Sequence, residues 1–378
     1  MGDSINIFVC GDIVNLIGND AFIGQNLAEE INHADFAIGN LEGAEFKVEQ
    51  GVPKCPAQTA GTISYLSEVG FDMMLLANNH ITDLGADQMR YTIDRIEQEG
   101  MYHIGAGFSW EDTYKPVIVD IKGKKFGFIN ICEAQVGQML SSEQQFGYAW
   151  MGYSQIFDDI RCLSVEVDKV IVFVHAGLEH YSLPLPEIRS FYRRICDAGA
   201  SAVIGGHPHI VQGYECYGNS FIAYSLGNFF FPHSSVMYEN ENRAFSLLLE
   251  FTCDGRIVSK AIHHTQKEGK VEVESDLDKQ VKITKLCSLL ENDYESHANE
   301  MCLKAYQGLC RKLLVQSLCG EEEPSSKIEI FKSIIRRTLF RKKYINSTKQ
   351  HRDKQLLRLF ENETYRYTII RALKYLNK

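Results

Sequence analysis

Short apolar runs, each ending in a polar loop, alternate along most of the chain with stretches of helical spacing. INIFVCGD (5–12), DFAIGNLEG (35–43), FDMMLLANNH (71–80), KVIVFVHAG (169–177) and ASAVIGGHPH (200–209) are short, rich in branched or apolar side chains and stopped by Gly, Asn or His. That is the pattern of buried strands. Between them TISYLSEVG (62–70), ADQMRYTIDRIEQEG (86–100) and LPEIRSFYRRICDAG (185–199) carry apolar residues at helical intervals, and the last two close on a Gly that commonly ends a helix. Three segments predict hairpins: 115–132 turning at Lys122 to Lys124, 209–231 turning at Tyr217 to Asn219, and 244–264 with Asp254 and Gly255 at its tip. Strands with helical crossovers, joined to hairpins, predict an α/β protein in which sheets are packed with helices on their faces.

Past about residue 270 the strand pattern fades. The spacing predicts helix over 281–320 and amphipathic basic helices over 326–345 and 363–376. The expected organisation is therefore a main domain over 1–270 and a basic helical region over 271–378. Charge sharpens this division. From Lys327 to Lys378 there are 15 Lys and Arg against 4 Asp and Glu, so within a net charge of −10 the first 326 residues carry −21. An acidic body with a basic appendage follows. The appendage could meet an anionic polymer, a lipid surface or nucleic acid through its charge, or pack Ile334, Ile335, Leu339 and Phe340 on the body; no defined nucleic-acid module is present.

Composition removes several classes. Hydrophobic residues at 45% and charged residues at 23% are those of a globular chain. No run reaches the roughly 18 apolar residues of a membrane span. The start, MGDSINIFVCGD, lacks a basic segment and an apolar core of signal length, so a cytoplasmic address is expected, with membrane contact only through the basic helices. The 11 cysteines are scattered without a CxxC pair, which suits a reducing compartment, and Cys10, Cys132 and Cys253 sit in apolar runs as small hydrophobes.

The informative polar residues are those that follow the strands. The first strand delivers Asp12, the second Asn40 and Glu42, the third Asn78, Asn79, His80 and Asp83. Later ones deliver His175 with Glu179, and His207 with His209. In an open α/β sheet the carboxyl ends of parallel strands share one edge, so these groups should gather in one crevice. Each piece alone has a plainer reading: a turn at Asp12 or Glu42, a helix start at Asn78 to Gly85, a satisfied core histidine at His175. The His207-Pro208-His209 sequence is harder to dismiss, since an extended i, i+2 arrangement puts both imidazoles on one face. Carboxylates, imidazoles and amides without thiolate suit one or two divalent ions, Mn, Fe or Zn before Mg. Two such ions would form the clamp used in phosphoester hydrolysis.

CGDIVN, IGNLEG, GFDMMLLANNHITDLG, VFVHAGLEHY, GGHPHIVQGYE and YSLGNFFF, in this order, resemble the CapA-type proteins of capsule and poly-γ-glutamate biosynthesis, within the calcineurin-like metallophosphoesterase superfamily. The resemblance covers residues 5 to 265. It implies a four-layer α-β-β-α metallophosphoesterase-like sandwich with a metal centre at its edge, here followed by the C-terminal helical extension. It further implies Asp12, Glu42, Asn79, His175, His207 and His209 as metal ligands, and His80, with Asp83 orienting it, as the group that protonates a leaving group. Glu179 would orient a ligand histidine, Asn228 would hold a turn at the site, and Asn40, Asn78 and Tyr181 fall among the supporting or substrate-facing positions. Two departures from the wider superfamily stand out: Ile13 and Val14 follow Asp12 where a histidine is usual, and Glu42 replaces an aspartate. His180 is also inserted ahead of Tyr181. The expectation is a metal-dependent hydrolase of a phosphoester or related ester or amide bond in cell-envelope polymer biosynthesis, acting on an anionic polymer or phosphoester substrate. The alternative is a non-catalytic metal-binding accessory subunit of a polymer synthesis or export complex.

Overall fold

A computed structural model describes residues 4–18, 21–46, 51–135, 137–140, 145–232, 243–278, 280–319, 353 and 356–377. Among them fourteen strands form two large sheets. In chain order these are β1 (Ile5–Ile13), β2 (Phe36–Leu41), β3 (Met73–Leu75), β4 (Tyr102–Ile104), β5 (Val117–Ile121), β6 (Lys124–Cys132) and β7 (Lys169–His175). There follow β8 (Ala202–Gly206), β9 (Tyr214–Tyr217), β10 (Ser220–Ala223), β11 (Asn228–Phe230), β12 (Arg243–Phe251), β13 (Ile257–Lys267) and β14 (Lys270–Val273). The eight-stranded sheet runs β14-β13-β12-β1-β2-β3-β4, with β11 also beside β1; the six-stranded sheet runs β9-β10-β8-β7-β6-β5. Neighbours β1 to β4 are parallel, as are β6, β7 and β8, so their carboxyl ends lie on one edge of each sheet.

Alternation along the strands builds the layers. Successive residues of a strand point to opposite faces, and Ile7 and Val9 of β1 join Ile38, Met73, Phe128, Ile171, Phe173 and Ile204 in a core between the two sheets. Phe8 and Cys10 face the other way, into a core with Leu27 and Ile31 of α1 (Gln25–His33), Leu66 of α2 (Thr62–Val69), and Met89 and Ile93 of α3 (Ala86–Gln98). On the second sheet Val170, Val172 and Val174 alternate with the inward residues of β7. The Tyr192 hydroxyl of α5 (Pro186–Asp197) donates to the Val174 carbonyl at 3.2 Å, and α4 (Ile156–Glu166) buries Ile160 and Leu163 beside it. Helices, sheet, sheet, helices: the four-layer sandwich is present.

Where the chain departs from expectation, pairing across distance is the reason. The segment 209–231 is not one hairpin. Strands β9 and β10 form the hairpin, and the chain then crosses to the other sheet, where β11 pairs in parallel with β1. Cys253 is exposed, at the hairpin tip rather than in the core. Two compact units comprise Met1–Tyr294 and Glu295–Lys378. The first extends past residue 270 because β14 adds to β13 and because Leu286 and Cys287 of the helix Ile283–Glu291 pack on the inter-sheet core. The second unit has a small core of its own around Cys310, Leu313, Leu359 and Tyr365, and the helix expected over 363–376 is there as Glu363–Leu376. The basic helix expected over 326–345 lies outside the described residues. Among the described residues no helix is long and apolar enough to cross a membrane.

Two contacts yield predictions about the scaffold. A Cβ on Gly11 would stand 1.8 Å from the Gly227 carbonyl oxygen, because β1 and the approach to β11 touch backbone to backbone beside Asp12. Gly11→Ala is expected to cost about 3 kcal/mol, through overpacking against backbone that cannot yield, measured by urea unfolding. In the second sheet, Glu215 on β9 accepts from Arg189 at 2.7 Å, Arg193 at 2.8 Å and the Tyr224 hydroxyl at 2.6 Å. Burial alone would push the Glu215 carboxyl up, but the bonds from Arg193, Arg189 and Tyr224 outweigh it and hold it at about 2, against 4.5 ordinarily. A depressed carboxyl contributes stability that is present above pH 4.5 and lost as pH falls toward 2. Glu215→Gln should therefore lower stability at pH 7 by about 2 kcal/mol, the order of charged hydrogen bonds, and flatten the acid limb of the metal-free protein's stability between those pH values.

Candidate metal centre

Register alone brings the first groups together. Asp12 near the end of β1 is paired with Asn40 of β2 on one side and Asn228 of β11 on the other, placing an amide on each flank of the carboxylate. In the facing sheet His175, the last residue of β7, is paired with Gly206 of β8 and Cys132 of β6. Gly206 has no side chain where one would crowd the gap: a Cβ there would lie 3.2 Å from Asp12 Oδ1 and 3.5 Å from His175 Nδ1. The two sheets thus present their ligand-competent residues to each other across a glycine. Asn40 spans them, donating to Asp12 Oδ1 at 2.7 Å and standing 3.4 Å from His175 Nδ1.

Two clusters result. In the first, the donor atoms of Asp12, Glu42 and His209 all lie within 4.8 Å of one another. In the second, Asn79 Oδ1 is 3.0 Å and His207 Nδ1 3.1 Å from the same His175 Nε2. His175 Nδ1 lies 3.8 Å from Asp12 Oδ1 and links the two. The histidines of His207-Pro208-His209 are not extended. Both take left-handed backbone, at φ +93° and +60°, as does His180 at +65°. Such conformations cost about 1–3 kcal/mol each for a residue with a Cβ. The turn sends the two imidazoles to different neighbours: His207 to the second cluster, His209 to the first, where its Nδ1 is 3.4 Å from Asp12 Oδ2 and 2.9 Å from Asn228 Oδ1.

Burial dominates the electrostatics of the first cluster. Glu42 is fully buried, and both its carboxylate oxygens, with Asp12 Oδ2, have no hydrogen-bond partner among the described residues. Burial, with Asp12 beside it, pushes the Glu42 carboxyl up to about 7 even though His209 and His80 pull it down. His209 is itself driven down by burial, yet the Glu42 and Asp12 carboxylates outweigh this and hold it well above the ordinary imidazole range. The protonated His209 imidazole thus faces both carboxylates. His175 and His207 are held well below that range, first by burial and then by neighbouring histidines, so they stay neutral with a lone pair to offer. Orphaned carboxylate oxygens beside neutral imidazoles and an amide oxygen, with no thiolate, fit a divalent cation.

At the open side, His80 Nδ1 lies 2.7 Å from Asp83 Oδ2 and its Nε2 is 3.8 Å from Glu42 Oε1. Burial lowers the His80 imidazole, but the Asp83 bond and the Glu42 charge outweigh it, so the ring holds its proton to a higher pH than usual. Asn78 accepts from the backbone of Gly43 and His80 at 3.2 Å each and donates to the Leu41 carbonyl, tying the Glu42 loop to the His80 turn. Glu179 Oε1 lies 3.6 Å from His207 Nε2. Tyr181 meets Gln212 through its carbonyl, and Asn228 sits directly on His209 rather than only holding a turn.

The pattern reading missed Glu133 and Gln135. Both are buried, and Gln135 Nε2 lies 2.6 Å from His207 Nε2. A signal was available: they follow β6, and β6 is parallel to β7. Reading 115–132 only as a hairpin hid that its second strand points to the same edge.

A family model described as bacterial capsule synthesis protein PGA_cap matches residues 7–233. The chain belongs to this family. It is 27% identical over 232 residues to the capsule biosynthesis protein CapA of Bacillus anthracis, covering 58% of this chain and 56% of that one. It is 27% identical over 204 residues to the PGA biosynthesis protein CapA of Bacillus subtilis, covering 52% and 53%. The chain thus spans little more than half the length of these curated relatives. Among solved structures, a 5'-nucleotidase precursor from Thermus thermophilus aligns over 79% of this chain and 60% of its own at 12% identity and a TM-score of 0.44, a likeness too distant to argue chemistry. The family match ends at residue 233 and contains every residue of both clusters.

Proposed function

We propose that this chain is a metal-dependent hydrolase of a phosphoester, or a related ester or amide bond, in capsule or poly-γ-glutamate type envelope-polymer biosynthesis. Family membership and the names of the relatives support the biosynthetic setting. The observation that carries the chemistry is the set of three orphaned, buried carboxylate oxygens on Asp12 and Glu42 facing His209. Asp12, Glu42 and His209 would hold one ion, and Asn79, His175 and His207 a second, with Mn, Fe or Zn the metals this donor set suits. Bound there, divalent ions supply Lewis acidity that makes a water nucleophilic near neutral pH and neutralises charge on the scissile group. The protein's own residues do the rest. Asn40 and Asn228 hold Asp12 and His209 in line, and the Asn78 bonds fix the Glu42 loop. His80, kept protonated by Asp83 and turned toward the carboxylate cluster, donates its Nε2 proton to the departing oxygen or nitrogen.

An anionic polymer or phosphoester is the substrate class that fits a site built around cations. The test is hydrolysis of a generic phosphodiester, a phosphomonoester and a γ-glutamyl amide by Mn-loaded protein. Turnover that disappears in His80→Ala while metal stays bound supports the reading. Bound metal with no turnover on any of the three points instead to an accessory subunit, a role in keeping with the absence of a histidine at Ile13 or Val14. A protein that takes up no ion under any loading condition refutes both.

A further inference from the structure

We propose that Glu133, acting through Gln135, is a positioning residue that holds Asn79 and His207 in ligating orientation; this rests on the two-cluster reading above. A carboxylate with no exposure costs several kcal/mol to bury unless its surroundings use it, and Glu133 is wholly buried. It is also firmly held. Its backbone N–H donates to the His175 carbonyl at 3.1 Å, and its Oε1 accepts from Gly177 at 3.3 Å and from the Gln135 carboxamide at 2.5 Å. Glu133 is thereby tied to the end of the strand that carries His175.

Gln135 carries that fixation to two ligands at once. Its Oε1 accepts from Asn79 Nδ2 at 3.4 Å, which leaves Asn79 Oδ1 on the side of His175 Nε2. A carboxamide binds an ion through oxygen, so which end faces inward decides whether Asn79 is a ligand at all. On its other side the Gln135 nitrogen meets His207 Nε2 at 2.6 Å, with Glu179 Oε1 at 3.6 Å and Glu133 Oε1 at 3.8 Å from the same ring nitrogen. When His207 carries its proton on Nδ1, the Gln135 amide donates to Nε2. The Gln135 amide thus ties the His207 ring to Glu133 and holds it in place. Orienting groups of this kind are worth about 10–100-fold in metal affinity.

The experiment titrates the full-length metal-free protein with Mn(II) by calorimetry, with elemental analysis of the products, for wild type, Glu133→Gln, Gln135→Met and His207→Ala. The ion that His207→Ala abolishes should bind about 10–100-fold more weakly in Glu133→Gln and Gln135→Met. Any ion that His207→Ala retains should bind them with wild-type affinity, and their metal-free melting temperatures should stay close to wild type. If Glu133→Gln does not accumulate folded, Gln135→Met, which keeps volume and removes the amide, carries the test alone. Unchanged affinity in the folded variants overturns the proposal. So does a fall in melting temperature with every ion weakened alike, the mark of a merely structural role. Failure of the wild type to bind any ion overturns the metal-centre reading itself.

Discussion

Glu42→Gln should move stability and metal binding in opposite directions. In the metal-free protein this substitution removes a buried charge whose two oxygens have no hydrogen-bond partner among the described residues and which faces the Asp12 carboxylate. Burial pushes this carboxyl up to about 7, so its ionisation opposes folding at higher pH, and removing it is expected to stabilise the metal-free fold there by about 1–3 kcal/mol. The same change takes one donor from the Asp12, Glu42, His209 cluster, and the loss should exceed the roughly 10–100-fold that follows from losing a mere orienting partner. Urea unfolding of chelated protein and Mn(II) titration of the same preparation measure the two effects side by side. A metal-free Glu42→Gln less stable than wild type would mean that the carboxylate is satisfied in the fold, and the case for an ion at this position would weaken with it.

The second large effect concerns His80. Its imidazole is braced by Asp83 at 2.7 Å and directed at Glu42, but it belongs to neither cluster of converging donor atoms. His80→Ala is therefore expected to lower kcat by about 10²–10⁴, the usual worth of a general acid, while metal stoichiometry and affinity stay at wild-type values. Asp83→Asn keeps the ring and weakens only its brace, so its loss should be smaller, on the order of tenfold, the direct acid being retained. Steady-state kinetics on Mn-loaded proteins, with metal content measured on the same samples, separate these outcomes. Equal loss in kcat and in bound metal would move His80 from proton donor to ligand.

Much of the candidate site was legible along the chain because its residues obey one local rule: they follow buried parallel strands. Asp12, Glu42, Asn79, His175 and His207 all stand just past an apolar run, and periodicity is a local property that needs no partner to be read. The rule failed where a strand has two identities. Strand β6 is antiparallel to β5 and parallel to β7, and only the first relation shows in neighbouring sequence, so Glu133 and Gln135 went unseen. Nor does the rule reach Asn228, which only the resemblance brought to the site, because the crossing of β11 to the other sheet leaves no trace in the local pattern. The geometry of His207-Pro208-His209 was misjudged for a related reason. Proline stiffens a segment, but the left-handed turn on each side of it is imposed by packing.

By itself the sequence determined the succession of strands and helices, through its resemblance the four-layer order and the family, and which residues arrive at strand ends with chemistry to offer. The tertiary structure alone decided how they divide: Asp12 and Glu42 with His209, Asn79 and His175 with His207, and Glu133 with Gln135 behind the second set. Strand alternation and helix spacing act over a few residues and are written in the chain. Which carboxylate meets which imidazole depends on register between strands and on the approach of two sheets across Gly206, and those are settled only when the whole core is packed.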